Sequence, residues 1–164
     1  MDELARLVEF AERVQRIMVE RRLTLSSAES CTGGLFGHVL TEVPGSSEYY
    51  LGGIISYSDE LKREELGVDA QTLEKHGAVS AQTCVAMAEG ARRRYRSSMA
   101  VAVTGIAGPA GGSDSKPVGL TYIGLADANG NDVRRHQWQT DRHTNKVESV
   151  GACLGLVLER LSKA

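Results

Sequence analysis

No apolar run in the 164-residue chain approaches the roughly 18–20 residues that a membrane-crossing helix requires. Neither sign of charge dominates. Nineteen basic residues stand against 21 acidic ones, for a net of −2, too even a balance to point to nucleic acid or an acidic membrane surface. The densest basic run, "RRRYR" at 92–96, reads as the solvated end of a helix. Cysteine is scarce: Cys31, Cys84 and Cys153 are an odd, widely spaced set with no metal-ligand spacing, and the four histidines fall near no second ligand in a recognisable pattern. The opening "MDELARLVEFAERV" is an acidic amphipathic helix and not a secretion signal. Internal repeats, linkers and composition breaks are also lacking. The expectation is a reduced, cytoplasmic, single-domain protein over 1–164 that needs no metal or cofactor.

What is present is an alternation of strands and helices. Leu4, Leu7, Ala11, Val14 and Met18 recur at helical spacing, predicting a helix from residue 2 to about 21. Strands are predicted at "TLSSA" (24–28), "GGIISYS" (52–58), "MAVAVTG" (99–105), "VGLTYIGLAD" (118–127) and "DVRRHQWQT" (132–140). The last two flank Asn129-Gly130, a hairpin signal. The final strand has no clean apolar face and reads as an edge. Helices are predicted at "GLFGHVLTEV" (34–43), stopped by Pro44-Gly45, and at "DELKREELG" and "DAQTLEKHG". A longer helix follows, capped by Ser80, and a closing one carries Val147, Val150, Leu154, Val157 and Leu161. This order implies an α/β fold: a three-layer α/β/α sandwich on a mostly parallel mixed sheet with one antiparallel hairpin strand.

Three polar loops follow three of the strands: "AESCTGG", "SYSDELK" and "TGIAGPAGG". Ligands of open α/β sheets bind at the carboxyl ends of strands, so the three loops mark a site. At a helix N-terminus Ser30 is either a cap or a nucleophile facing backbone N–H groups of Thr32, Gly33 or Gly34 that would hold an oxyanion. Cys31 is a rival nucleophile, since a helix N-terminus activates a thiolate. A base for Ser30 is not found among the histidines. Lys62, in the first turn of its helix, becomes one if burial and the dipole lower its pKa; otherwise it is a surface lysine paired with Glu60 or Glu65. Tyr57 is placed to relay a proton or orient it. The glycine-rich "TGIAGPAGG" is an anion-binding nest, though neither a P-loop nor a dinucleotide fingerprint. Lys116, Arg142 and Lys146 are available to a phosphate.

Taken together, "AESCTGG", "PGSSEYYLGGIISYSDELKREELGV", "HGAVS", "MAEGA", "AVAVTGIAGPAGGSDSKPVG" and "DR" resemble, in order from about residue 23 to 146, the motifs of the CinA C-terminal domain family. Its members include bacterial nicotinamide mononucleotide amidases. The resemblance implies hydrolysis of the carboxamide of nicotinamide mononucleotide to nicotinate mononucleotide and ammonia, in pyridine nucleotide recycling, by a serine mechanism without metal. It carries the nucleophile to Ser30 and its acid–base partners to Tyr57 and Lys62. Thr32, Gly33, Gly34, Thr104, Gly105, Gly108, Arg142 and Lys146 become substrate-binding positions. Ala110 stands where "GPGGG" is usual, and Lys146 where a second arginine often follows "DR". Some members carry a preceding domain that resembles molybdopterin-binding proteins; its absence here implies the stand-alone form. The edge strand and terminal helices leave room for a homodimer. The alternatives are a nucleotide-binding regulatory module without catalysis, an amidase acting on another pyridine compound, and a thiol amidase through Cys31.

Overall fold

The computed structural model describes residues 2–163. Its elements run α1 (Glu3–Glu20), β1 (Leu25–Glu29), α2 (Leu35–Thr41), β2 (Tyr50–Ile55), α3 (Asp59–Leu66), α4 (Ala70–His76), α5 (Ala81–Tyr95), β3 (Met99–Gly105), β4 (Leu120–Asp127), β5 (Gly130–Gln137) and α6 (Arg142–Ser162). The sheet order is β2-β1-β3-β4-β5. β1 pairs parallel with both β2 and β3, whereas β4 is antiparallel to both β3 and β5. β4 is therefore the single reversed strand of a mostly parallel mixed sheet.

Two cores make the three layers. On one face α1, α2 and α6 bury Leu7, Val14, Phe36, Val150 and Leu154 against Leu25, Val101 and Val103. On the other, α3, α4 and α5 pack on Ala28, Ala100 and Ala102. The alternation Val101/Ala102/Val103 along β3 feeds both cores, which is why that strand reads as an uninterrupted apolar run. Small residues on the second face let α5 lie close to the sheet: a Cβ at Gly124 would come 3.1 Å from Cys84 Sγ. Gly90 of α5 has no room for a side chain, because a Cβ there would overlap the Leu66 carbonyl at the end of α3. That contact sets the height of α3 over the sheet.

Most sequence-predicted elements fall within a residue or two of these bounds, and two strands, β2 and β5, are displaced. β2 covers Tyr50–Ile55 and not 52–58, because it is aligned by its parallel pairing to Leu25–Glu29, which starts at Tyr50 and shifts register between Leu25 and Ser26. Ser56 to Ser58 then belong to the turn that caps α3, Ser58 Oγ accepting from Leu61 N–H. The β4–β5 loop is Ala128-Asn129, with Gly130 already paired to Asp127. β5 ends at Gln137, since α6 is capped by Asp141 soon afterwards.

Chain direction determines where chemistry can sit. From β1 the chain moves to β2, and from β3 it moves the opposite way to β4. The crevice between the carboxyl ends of β1 and β3 is thus the topological switch point of the sheet, where open α/β folds bind ligands.

Candidate active site

Ser30 is the first residue after β1. Its N–H donates to the Val103 carbonyl at 3.0 Å, extending the β1–β3 ladder by one bond and fixing Ser30 over the crevice. The side chain is 8 % exposed. Lys62 lies one turn into α3, and helical side chains lean toward the N-terminus of their helix. Its aliphatic stem runs back under the end of β2, leaving the residue 1 % exposed. Nζ lies 3.0 Å from Ser30 Oγ and donates to the Ser56 carbonyl at 2.6 Å. Among the described residues no carboxylate forms an ion pair with it. Burial pulls the lysine pKa below its ordinary value, against a smaller opposing pull from Asp59. The surface pairing with Glu60 or Glu65 does not form; Glu65 pairs instead with Arg94.

Cys31 is adjacent to Ser30 in sequence, but its thiol belongs to the core on the α2 side. Burial pushes its pKa up to about 12, opposite to the activation that a nucleophilic thiol needs. The turn after it is organised by Glu29. This carboxylate is 3 % exposed. It accepts from Thr32 Oγ1 at 2.6 Å and from the N–H groups of Gly34, Phe36 and Gly37 at 3.1, 3.1 and 2.9 Å. The Gly33 N–H donates to the Ser30 carbonyl. The expected oxyanion donors Gly33 and Gly34 are therefore occupied. What these glycines supply is backbone freedom, with φ of 61° and 98°. Among the described residues neither the Cys31 nor the Thr32 N–H donates to a backbone carbonyl, and of the two residues Cys31 borders the cavity over Ser30.

A cavity of about 270 Å³ opens above the Ser30–Lys62 pair. Val79 and Ile106 give it apolar walls, and Tyr57 and Arg142 stand at its mouth. Tyr57 is 61 % exposed. Its hydroxyl accepts from Arg142 at 3.4 Å and forms no hydrogen bond with Ser30 or Lys62. Arg142, the first residue of α6, also donates to the Gly108 carbonyl at 2.8 Å. Thr104 lines the cavity while donating to the Ala78 carbonyl at 2.8 Å. Gly105 and Gly108 border it too. Gly105 is required by packing, since a Cβ would come 2.7 Å from Thr121 Oγ1.

Two lysines stand elsewhere. Lys146 is half-buried and lies over Gly33, outside the cavity lining. Lys116 is tied to the His76 carbonyl at the end of α4, so it does not face the cavity. Four contributors carry little sequence signal. Val79 and Ala78 come from "HGAVS", which has no chemistry of its own. The Ser56 carbonyl is main chain. Asn145, 2 % exposed, donates to the Ala107 carbonyl and ties the glycine loop to α6. Among the described residues no cluster of three or more His, Cys, Asp or Glu side chains has metal-binding geometry, and no helix is long and apolar enough to cross a membrane.

A family model described as "CinA C-terminal domain" matches residues 7–161. A CinA-like protein of Salinibacter ruber is 49% identical over 134 residues, covering 82% of this chain and 32% of its own. A putative competence-damage inducible protein of Acetivibrio thermocellus is 52% identical over 135 residues, with the same two coverages. The chain thus spans about a third of the length of the curated relatives it matches. The crystal structure of a competence/damage inducible protein, CihA, from Agrobacterium tumefaciens superposes with a TM-score of 0.90 at 41% identity, covering 99% of this chain and 97% of that one. A CinA superfamily protein from Klebsiella pneumoniae superposes with a TM-score of 0.93 at 30% identity, covering 96% and 99%.

Proposed function

The chain belongs to the CinA C-terminal domain family, and from that premise we propose that it is a serine amidohydrolase converting nicotinamide mononucleotide to nicotinate mononucleotide and ammonia. The observation that carries this reading is the 3.0 Å approach of Lys62 Nζ to Ser30 Oγ on the floor of the cavity. Family membership alone does not specify an activity. A buried lysine without a carboxylate is costly to keep, and a module that only binds nucleotides has no use for it.

In the reaction, neutral Lys62 accepts the Ser30 hydroxyl proton while its own N–H continues to donate to Ser56. Oγ attacks the carboxamide carbon and the carbonyl oxygen takes up negative charge. The Cys31 N–H, at the edge of the cavity, holds that charge; the residue directly after a nucleophile on a strand–turn–helix is the usual donor. The C–N bond then breaks, and Lys62 returns its proton to the departing ammonia. Water attacks the resulting ester, Lys62 takes its proton, and nicotinate mononucleotide leaves as Ser30 is restored.

The substrate suits the cavity in three respects. The pyridinium ring withdraws electrons and activates the amide. Val79 and Ile106 offer apolar surface to the ring. Arg142 at the mouth meets the phosphate, with Lys146 one helical turn further along α6 adding charge on the same side. Tyr57 holds the mouth through its bond to Arg142.

The test is ammonia release from nicotinamide mononucleotide, nicotinamide and NAD under identical conditions. The reading predicts release from the mononucleotide well above the other two. Equal or greater release from free nicotinamide would assign the site to a different pyridine amide.

A further inference from the structure

We propose that Glu29 is a positioning residue of this site. Its buried carboxylate holds the turn after Ser30 so that the Cys31 N–H group, and not those of α2, serves the reacting carbonyl. The inference rests on Ser30 being the nucleophile.

The first four N–H groups of a helix have no partner within it and carry its positive end. Here Glu29 takes the N–H groups of Gly34, Phe36 and Gly37, so that end is already satisfied by a carboxylate. Thr32 Oγ1 supplies a fourth donor at 2.6 Å. All four are donors, so both carboxylate oxygens act only as acceptors. Glu29 accepts nothing from Lys62, whose Nζ is directed to Ser30 and Ser56. The lysine is thereby spared a direct carboxylate contact that would hold its proton.

The same bonds shape the turn. The chain passes from Ser30 through left-handed Gly33 and Gly34 and returns its N–H groups to a carboxylate that precedes Ser30 by one residue. Space is reserved for this path: a Cβ at Gly34 would press on Ile55 Cδ1 at 3.0 Å, and one at Gly37 on the Tyr50 hydroxyl at 2.9 Å. With Gly33 and Gly34 committed inside the turn, the N–H group left at the edge of the cavity is that of Cys31, next to the nucleophile. The cavity is left with its acyl chemistry at the Ser30 end and its anion recognition at Arg142.

Glu29→Gln tests this, because it keeps the shape but presents an N–H group to donors. One readout needs no knowledge of the substrate: the rate at which a fluorophosphonate modifies Ser30, followed by mass of the peptide. We expect Glu29→Gln to slow modification on the order of 100-fold, the scale of a small misplacement of reacting groups. In ammonia release the loss should fall on kcat, with KM for the mononucleotide changed by less than about threefold. Thr32→Val, which removes one donor, should slow modification about tenfold, and Thr32→Ser should recover most of it. This pair decides the matter if Glu29→Gln does not fold. Wild-type rates in Glu29→Gln or in Thr32→Val overturn the positioning role alone. A wild-type protein that takes no label at Ser30 overturns the nucleophile and the inference with it.

Discussion

Lys62 Nζ lies 3.0 Å from Ser30 Oγ, joining residues 32 apart in sequence at the topological switch point of the sheet. Neither residue is exposed enough to be a solvated surface group. The pair is a base and a hydroxyl held in contact before any substrate arrives.

The pair should respond to pH through Lys62. Its pKa is lowered by burial, so kcat/KM should rise with pH along a single-proton limb whose midpoint lies below the ordinary lysine value near 10.5. A pH–rate profile checks this. A midpoint at or above that value would mean that Lys62 is not the base.

Stability should carry the mark of the same shift. The unfolded chain binds the Lys62 proton more tightly than the folded one, so stability rises with pH between the folded-state value and that of free lysine. Below that window the buried lysine costs stability. Lys62→Met should abolish turnover yet unfold later than wild type at neutral pH, by on the order of 1 kcal/mol. The gain should fade as pH climbs to the free-lysine value. Denaturant titrations at several pH values measure it.

Tyr57 and Arg142 can be separated by kinetics. Arg142→Ala should raise KM for the mononucleotide by about ten- to a hundredfold while leaving most of kcat, as expected for a lost charged contact to a remote group. Tyr57→Phe keeps the ring and removes the hydroxyl that pairs with Arg142. Its loss should also fall on KM. A fall in kcat with KM unchanged would return Tyr57 to the acid–base role that the family resemblance gives it.

Gly90→Ala tests the support of the site far from its chemistry. The new Cβ would overlap the Leu66 carbonyl and lift α3, the helix that carries Lys62. Destabilisation of about 1–3 kcal/mol is expected, the range for overpacking. Activity should fall with it at temperatures where the protein remains folded. Thermal melts and rates taken together give the answer.

The sheet and its flanking helices were legible where a residue pattern reports burial. Met99–Gly105 reads as a central strand because both its faces are covered, and α6 shows its buried face through Val150, Leu154 and Val157. β2 was displaced because an edge strand takes its bounds from its neighbour's register, which composition does not report. Ser30 and Lys62 were named from loops at strand ends, Thr104, Gly105, Gly108 and Arg142 became substrate-binding positions through the family resemblance, and the fold brings all six to one cavity. Gly33 and Gly34 were named as substrate contacts, whereas their N–H groups are spent within the turn. That depends on where the Glu29 carboxylate folds, a relation set by two left-handed residues and invisible to spacing. Lys116 shows the same limit: its charge was plain, and its partner, a carbonyl 40 residues away, was not.

The central claim is that Ser30 performs amide hydrolysis on nicotinamide mononucleotide. Ammonia release by the purified protein beside its Ser30→Ala variant, with mononucleotide binding measured on both, tests it most directly. The account predicts steady release by wild type, a loss of at least about a thousandfold in the variant, and binding that changes little. Undiminished release by Ser30→Ala would contradict the serine mechanism. Binding without release by either protein would contradict the enzyme reading and leave a nucleotide-binding module in its place.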